Sequence, residues 1–337
     1  MGTVMRMLLL GVLLLGFAGG SFTLLAGDAL ADDGAVPLVT DASEDAYPDW
    51  SPDGSWVAFE SDRSGNWDIW IVPATGGIPT QVTADTSYDG RACWSPDGSE
   101  IVFESDRDLV SLLAAYPVCE IYTIPVTGEP ATRITYSAGY DERPDWSPDG
   151  SQIAFSSDRG AGPTMLASDG EDPLHAADLF LIPVTGEPAT QITFDPGYEN
   201  NANWSPDGTQ IAFEADYSGN WDIWVMPSGG GTPTQITTDP ADDFMPDWSP
   251  DGHDIAFYSN RSGNTDIWTI PATGGTAIQI TTDTHGDWTP SWSPDGTQIV
   301  FSTGRGASVD IYVIAVDRSG IVTGESTTWS RIKSIFR

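Results

Sequence analysis

Basic residues are scarce in this sequence of 337 residues, which has 13 lysine and arginine residues against 49 aspartate and glutamate residues. Lys333 is the single lysine, and the formal net charge is -36. Proteins that bind nucleic acid neutralise phosphates with clustered basic side chains, so this composition excludes a nucleic-acid partner. The chain is nevertheless 39% hydrophobic and 11% aromatic, which is too rich in core-forming residues for a disordered acidic polymer.

Motifs of catalysis and metal binding are also missing. The sequence has no G-x-S-x-G elbow, which would carry a catalytic nucleophile, and no H-E-x-x-H motif, which would bind a metal. It also has no glycine-rich loop of the kind that binds phosphate. The three histidines, His175, His253 and His285, have no second ligand at a suitable spacing. We therefore expect no enzyme and no cofactor, apart from an unidentified divalent cation that such an acidic surface could attract.

Long apolar runs are confined to the first 31 residues. Arg6 precedes an apolar stretch that begins at Met7, and the segment ends in Ala29-Leu30-Ala31. This pattern is typical of a secretory signal peptide cleaved near Ala31, with a retained membrane anchor as the alternative. It predicts a periplasmic or secreted protein with no transmembrane span in the mature chain.

A repeat dominates the remaining sequence. The motif W-S-P-D-G occurs six times, and its spacing is 44 residues except after the second and third copies, where it is 52 and 58. The copies begin at Trp50, Trp94, Trp146, Trp204, Trp248 and Trp292. Each unit contains four short β-type segments separated by turn residues and shows no helical periodicity. Four strands in about 44 residues, repeated six times, predict an all-β fold, a six-bladed β-propeller of four-stranded antiparallel blades.

The ends of the repeat predict how the ring closes. Pro37-Leu38-Val39-Thr40-Asp41 resembles the fourth strand of a unit, although it precedes the first tryptophan. We interpret it as the outer strand of the last blade, so that the propeller spans residues 32–316. Ile321-Val322-Thr323 is the alternative closing strand.

The combination of P-D-W-S-P-D-G-S, I-A-F-x-S-D-R-S-G-N and D-I-W-x-x-P resembles the blade of the TolB propeller family, with its Trp-Asp-like repeat. Similar blades occur in the propeller domains of prolyl oligopeptidase-like peptidases. The resemblance covers about residues 36–316 and implies an exported propeller that docks proteins or ligands over its channel mouth. From the sequence alone we expect no counterpart of two features of those families: the α/β domain of TolB and the hydrolase domain of the peptidases.

An acidic residue stands five positions before each repeated tryptophan, in the connection that leads into the first strand. Such connections surround one mouth of a propeller channel, so we expect a ring of carboxylates, accompanied by aromatic side chains, that binds a cationic or polyhydroxyl ligand. A purely structural role, in which each acid caps its own turn, is the alternative. The predicted site consists of Asp45, Asp89, Asp141, Glu199, Asp243, Asp287, Tyr140, Tyr198, Phe244 and Trp288.

Two insertions lengthen the connection between the second and third strands of adjacent blades, at residues 108–118 and 159–177. Strand alternation places them on the same face as the predicted carboxylate ring, where loops carry function. The two cysteines, Cys93 and Cys119, belong to one blade. Export permits a disulfide between them, whereas the intervening strand makes the required distance doubtful.

Residues 317–337 form a basic tail in which Trp329, Ile332 and Phe336 recur at helical spacing. It could dock on the propeller, anchor to an anionic surface or act as a sorting signal. Taken together, the sequence predicts a monomeric, non-enzymatic protein-binding or envelope-scaffold module whose partner is a protein or a glycan at the acidic face. A carbohydrate-binding or carbohydrate-cleaving propeller is the alternative.

Overall fold

A computed structural model describes residues 33–107, 119–137, 139–159, 177–195 and 197–317. Its strands form six four-stranded antiparallel sheets, each built from consecutive strands except the last. The six-bladed propeller predicted from the repeat is confirmed. The predicted signal peptide and nearly all of the predicted tail lie outside the described residues, as do most residues of both insertions.

Each blade runs outward from a channel-lining strand to a short outer strand, which has two residues in the first five blades and four in the sixth. The inner strands are β2 (Asp45–Trp50), β6 (Asp89–Trp94), β10 (Asp141–Trp146), β14 (Glu199–Trp204), β18 (Asp243–Trp248) and β22 (Asp287–Trp292). The second strands are β3 (Trp56–Ser61), β7 (Glu100–Ser105), β11 (Gln152–Ser157), β15 (Gln210–Ala215), β19 (Asp254–Ser259) and β23 (Gln298–Thr303). The third strands are β4 (Asp68–Pro73), β8 (Glu120–Pro125), β12 (Asp178–Pro183), β16 (Asp222–Pro227), β20 (Asp266–Pro271) and β24 (Asp310–Ala315). The outer strands are β5 (Thr80–Gln81), β9 (Thr132–Arg133), β13 (Thr190–Gln191), β17 (Thr234–Gln235), β21 (Ile278–Gln279) and, for the sixth blade, β1 (Val36–Val39).

The hydrophobic core lies between adjacent blades. Ile69 and Ile71 of the first blade, for example, pack with Trp94 and Phe103 of the second. All six repeated tryptophans are buried, at 5–8% exposure. Their role in core packing, predicted from their recurrence, is confirmed.

The S-P-D-G segments form tight turns that end each inner strand. In the first blade, Asp53 accepts hydrogen bonds from the Ser51 hydroxyl at 2.7 Å and from the Ser55 backbone at 2.9 Å. Gly54 has a φ of 69°, in the left-handed region that favours glycine. We call the end of the propeller that carries these six turns the turn face.

The N-terminal segment closes the ring, as predicted, because β1 pairs with β24 of the sixth blade. Asp33 strengthens this closure: its two oxygens lie 3.0 and 2.7 Å from the Arg305 guanidinium, and it accepts a hydrogen bond from the Thr282 backbone. The Asp33 and Arg305 side chains are 2% and 5% exposed. The alternative closing strand at residues 321–323 lies outside the described residues.

The opposite end, which we call the loop face, brings two kinds of connection together. Asn66 lies in the turn between the second and third strands of the first blade and donates hydrogen bonds to the carbonyls of Asp85 and Ser87. These carbonyls belong to the connection that leads into the second blade. Asn220 and Asn264 make the same contacts in the fourth and fifth blades. The predicted grouping of these connections on one face is therefore correct.

Candidate functional site

The six predicted carboxylates lie where the inner strands begin, at the loop face, but they are buried. Asp45, Asp89, Asp141, Glu199, Asp243 and Asp287 are each 0% exposed. In five blades an arginine of the same blade reaches this acid at 2.6–2.9 Å. These arginines are Arg63, Arg107, Arg159, Arg261 and Arg305. An ion pair inside the blade thus occupies five of these six buried carboxylates; the part of the ring in ligand binding stays a prediction.

Burial dominates the electrostatics of these acids. It raises the pKa of Asp89 to about 6 against the opposing effect of Ser105 and Arg107. It raises the pKa of Glu199 to about 8 against the opposing effect of hydrogen bonds from Tyr217 and Thr193. The fourth blade has Tyr217 where the other five have arginine. Removal from water penalises the charged form of a carboxyl group, and only a close cation or donor offsets that penalty. Glu199 is therefore protonated at neutral pH.

The predicted aromatic residues do not form a uniform ring. Tyr198 and Phe244 are joined through Trp221, with ring centroids 6.3 and 5.7 Å apart, and Phe244 stacks on Tyr258 at 5.2 Å. We call these four side chains the aromatic row.

The other two predicted aromatics, Tyr140 and Trp288, lie in other blades. The Trp288 ring lies over Gly286, where an added Cβ would come within 2.3 Å of the indole. The Tyr140 backbone donates a hydrogen bond to Asp158 at 2.7 Å. The structure thus brings Tyr198 and Phe244 into one row, and each of the other two keeps a local contact in its own blade.

A β-bulge interrupts every inner strand and shapes the channel. Three residues before each repeated tryptophan, the backbone takes a φ of 51–55° in all six blades, and the strand pairing shifts register there. These bulge residues are Tyr47, Arg91, Arg143, Asn201, Met245 and Thr289. None is glycine, so each position holds a conformation that side chains disfavour. Bulges re-aim side chains next to functional sites, and here they line the channel.

Side chains of the preceding blade hold these bulges in place. The backbone N–H of Arg91 donates to Glu60 at 2.9 Å, and that of Arg143 donates to Glu104 at 2.7 Å. Met245 donates in the same way to Glu214 at 2.7 Å. Contacts between blades therefore fix the channel surface, which makes it rigid.

Two arginines give the loop-face half of the channel its polarity. The Arg91 guanidinium stacks on the Tyr47 ring at 3.5 Å. Arg143 lies 3.7 Å from Glu142 and 3.6 Å from Glu214. Burial raises the pKa of Glu60, which faces Arg91, to about 7. This part of the channel is a network of charged and aromatic groups in contact with one another.

A second ring of polar side chains lies one residue before each repeated tryptophan. Aspartate alternates there with a neutral donor around the channel, in the order Asp49, Cys93, Asp145, Asn203, Asp247 and Ser291. Four members accept a hydrogen bond from the tryptophan backbone N–H of the next blade, as Asp49 does from Trp94 at 2.9 Å. Ser291 and Cys93 donate to Asp49 and Asp145, each at 3.1 Å. We call these six residues the channel ring; it links neighbouring blades without an arginine.

Both cysteines are free thiols in this structure, so the disulfide that the sequence permitted is not formed there. Cys93 lies in the channel ring and donates to Asp145, whereas Cys119 immediately precedes β8. Burial raises the pKa of the Cys93 thiol well above its usual value, which keeps it protonated and unreactive. The intervening strand β7 separates the two positions, as the sequence suggested.

The channel encloses a cavity of about 140 Å³, lined by the three residues that precede each repeated tryptophan. Pockets that engulf a small-molecule ligand usually measure about 300–1,000 Å³. The channel is therefore suited to a single inserted side chain, or to contacts around its mouth.

Comparison with known protein families identifies the family of this propeller. The family model described as the TolB beta propeller domain matches residues 34–116 and 236–331, more than half of the chain. The chain belongs to the TolB β-propeller family. A second model, the N-terminal β-propeller domain of tricorn protease, matches residues 174–265.

Individual relatives agree with this assignment. The Tol-Pal system protein TolB of Bordetella pertussis is 38% identical over 159 residues, which is 46% of this chain and 34% of that protein. The chain thus spans about a third of the length of the curated relatives it matches. A putative TolB structure from Agrobacterium tumefaciens has a TM-score of 0.61 at 20% identity and covers 82% of this chain and 92% of that one. An oligogalacturonate lyase from Vibrio parahaemolyticus has a TM-score of 0.54 at 13% identity, covering 85% and 94%.

Sequence reasoning did not predict that the bulge residues line the channel. The bulge residues differ in type from blade to blade, so no repeated letter marks them, although their fixed distance from the tryptophan does. In the part of the chain that the structure describes, no three metal-binding side chains are grouped for an ion. No helix among those same residues is long and apolar enough to span a membrane.

Proposed function

We propose that this member of the TolB β-propeller family is an exported, non-enzymatic module that binds a partner protein at the loop-face mouth of its channel. The observation that carries the proposal is the set of six bulges. Residues that build a repeat recur in every copy, as the buried acids and tryptophans do. The bulge positions keep one backbone geometry and yet carry tyrosine, arginine, asparagine, methionine and threonine. Rigid positions with variable side chains are suited to specific recognition.

Two further observations support action in the cell envelope. The first 31 residues have the pattern of an export signal, and the curated relatives are named as proteins of the Tol-Pal system. We accordingly propose a periplasmic or secreted location after cleavage near Ala31. The envelope-scaffold role is transferred from relatives that are about three times as long as the matched region.

Binding without catalysis is favoured by the way the channel carboxylates are used. In Asp49, one oxygen accepts the Trp94 N–H and the other accepts the Ser291 hydroxyl. Asp145 divides its oxygens between Trp204 and Cys93 in the same way. A general base must be within hydrogen-bond reach of a substrate proton, and these oxygens are committed to contacts between blades.

Affinity capture with matched variants tests the proposal. The tagged protein is cross-linked in its native organism, the captured protein is identified and purified, and its dissociation constant is measured by calorimetry. Met245→Arg adds a positive charge inside the channel mouth, and His253→Arg adds the same charge on the turn face, where His253 is 79% exposed. We expect about tenfold weaker binding of a cationic partner for Met245→Arg and unchanged binding for His253→Arg. Equal affinity of both variants, or a purified partner that does not bind, would overturn the proposal.

A glycan ligand is the second candidate, and the aromatic row favours it. Aromatic side chains offer flat apolar faces, and tyrosine and tryptophan add a polar edge, a combination that suits sugar rings. Trp221→Ala removes the centre of the row, and Trp67→Ala removes the residue at the equivalent position of the first blade. Glycan-array binding or polysaccharide turnover that is lost in Trp221→Ala and retained in Trp67→Ala would replace the protein-binding proposal.

A further inference from the structure

The fourth blade differs from the other five at the position of the buried arginine. In those five blades the guanidinium lies between a phenylalanine of the second strand and an aromatic residue of the third. Its central carbon is 4.9–5.6 Å from both ring centroids. We call this position the arginine slot. Cation–π contacts of this geometry, combined with a carboxylate, select a guanidinium.

Tyr217 fills the arginine slot of the fourth blade. Its ring is 6.3 Å from Phe213 and 5.0 Å from Trp224, both in edge-to-face contact. The acid of this blade, Glu199, is fully buried. The fourth blade therefore keeps the aromatic walls and the acid and lacks the cation.

A cavity of about 540 Å³ opens beside this substitution. Tyr217 and Trp224 line it together with Asp195, Asp216 and Pro233. A second cavity of about 360 Å³ continues from it along Phe194, with Asp195 and Pro233 common to both. Phe194 is 75% exposed. The two cavities form a groove at the edge of the fourth blade that has an aromatic wall and a carboxylate at its centre.

Asp195 is the residue that gives the groove its charge preference. It stands nine residues before the repeated tryptophan, as do Asp41, Asp85 and Asp283, which lie 3.3, 3.1 and 4.0 Å from the arginine of their own blade. In the fourth blade that arginine is replaced by Tyr217, so Asp195 keeps its position without the cation that accompanies it in those blades. Asp195 is an exposed residue, so a cation from solvent has access to it.

We propose that this groove binds an arginine side chain of a partner polypeptide, with the guanidinium against Trp224 and Tyr217 and paired with Asp195. The partner's arginine provides the guanidinium that the other five blades provide with an arginine of their own. A net charge of -36 also attracts a cationic partner segment. The inference deepens the proposed function by naming a group that the partner carries, and it rests on that function only for the source of the arginine.

The test uses a small probe, so that it does not depend on identifying the partner. N-acetyl-argininamide is titrated into the purified protein labelled with ¹⁵N in its tryptophan indoles, and the Trp224 signal is assigned by its loss in Trp224→Phe. We expect the arginine probe to shift this signal, and we expect no shift with N-acetyl-citrullinamide, which is its neutral isostere.

Three variants locate the probe. Asp195→Asn should weaken binding by about twofold to fivefold. Asp239→Asn, at the equivalent position of the fifth blade, should leave it unchanged. Tyr217→Arg should abolish it, because the new side chain places the protein's own guanidinium in the slot.

Equal binding of the citrulline probe, or wild-type affinity in Asp195→Asn, overturns the arginine assignment. Partner capture through the channel mouth without any probe binding would reject this inference and leave the proposed function in place. Probe binding without a captured partner would reject the proposed function and leave this inference in place.

Discussion

Two rings of acidic residues surround the same channel and use their charges in opposite ways. In five of the six blades, the buried acid at the start of the inner strand pairs with an arginine of its own blade, as Asp141 does with Arg159 at 2.7 Å. The channel ring, four residues further along, has no arginine and joins neighbouring blades through four backbone N–H groups and through the Ser291 and Cys93 side chains. Position in the repeat, and not the number of acids, therefore determines whether a carboxylate stabilises one blade or a contact between two.

The largest expected effect comes from breaking one ion pair of the buried ring. Arg261→Ala leaves Asp243, which is 0% exposed, without its cation. Stranding a buried charge costs about 3–5 kcal/mol, and we expect a loss of that size in the free energy of unfolding measured with urea at pH 7.5.

The fourth blade provides the control for this variant. Tyr217→Phe removes a hydroxyl beside Glu199, whose carboxyl is already protonated at neutral pH, and we expect a loss of about 1 kcal/mol or less. Equal losses in the two variants would show that the arginine slot contributes packing and no electrostatic stability.

A matched pair of variants in the third blade compares the two rings directly. Asp141→Asn removes the charge that Arg159 requires, and hydrogen bonds to charged groups contribute about 1.5–3 kcal/mol, so we expect a loss of that size. Asp145→Asn removes a charge from the channel ring, where Asn203 already accepts the Trp248 N–H at 2.9 Å. We therefore expect Asp145→Asn to match or exceed the wild-type stability at pH 8. A larger loss from Asp145→Asn than from Asp141→Asn would contradict the division between the two rings.

The difference between the rings also explains what the sequence could and could not predict. The strands, the turns, the buried tryptophans and the closing strand follow from local rules repeated six times, so the spacing of Trp50 and its equivalents predicted the fold. The partner of an acid such as Asp45 depends on which side chains converge after folding. Arg63 stands 18 residues away along the chain, and only the pairing of β2 with β3 brings them together. The bulge residues were missed because a positive φ at Tyr47 or Arg91 has no signature in residue type.

The pH dependence of stability should reveal the carboxyl groups that burial keeps protonated. Burial raises the pKa of Asp49 to about 6 and that of Asp145 to about 7. The folded state thus binds more protons than the unfolded state between about pH 4 and pH 7, and the free energy of unfolding falls as the pH rises through this range. We expect a melting temperature about 5 °C lower at pH 8 than at pH 5. Below about pH 4 stability should fall again, because turn residues such as Asp53 have a lowered pKa.

The Asp145→Asn variant assigns part of this dependence to the channel. Without one of the raised carboxyl groups, the decrease between pH 5 and pH 8 should be smaller than in the wild type. The control is Asp53→Asn on the turn face, which should change stability equally at pH 5 and pH 8, because Asp53 is ionised in the folded and unfolded states over this range, and should leave the decrease between them as in the wild type. An unchanged slope in Asp145→Asn would place the proton uptake elsewhere in the molecule.

Salt should have the smallest effect on stability. Its effect separates the repulsion between exposed surface charges from the contributions of the two rings. Ion pairs such as Arg261–Asp243 are buried and are screened much less than exposed charges, which repel one another across a protein of net charge -36. Raising sodium chloride should therefore increase the melting temperature by about 2–4 °C, equivalent to roughly 1 kcal/mol. The loss of unfolding free energy in Arg261→Ala should be the same at low and high salt. Calcium or magnesium chloride at matched ionic strength separates screening from binding. An additional increase with the divalent salt alone would show a bound cation, whereas a flat response to all three salts would mean that repulsion between surface charges does not limit stability.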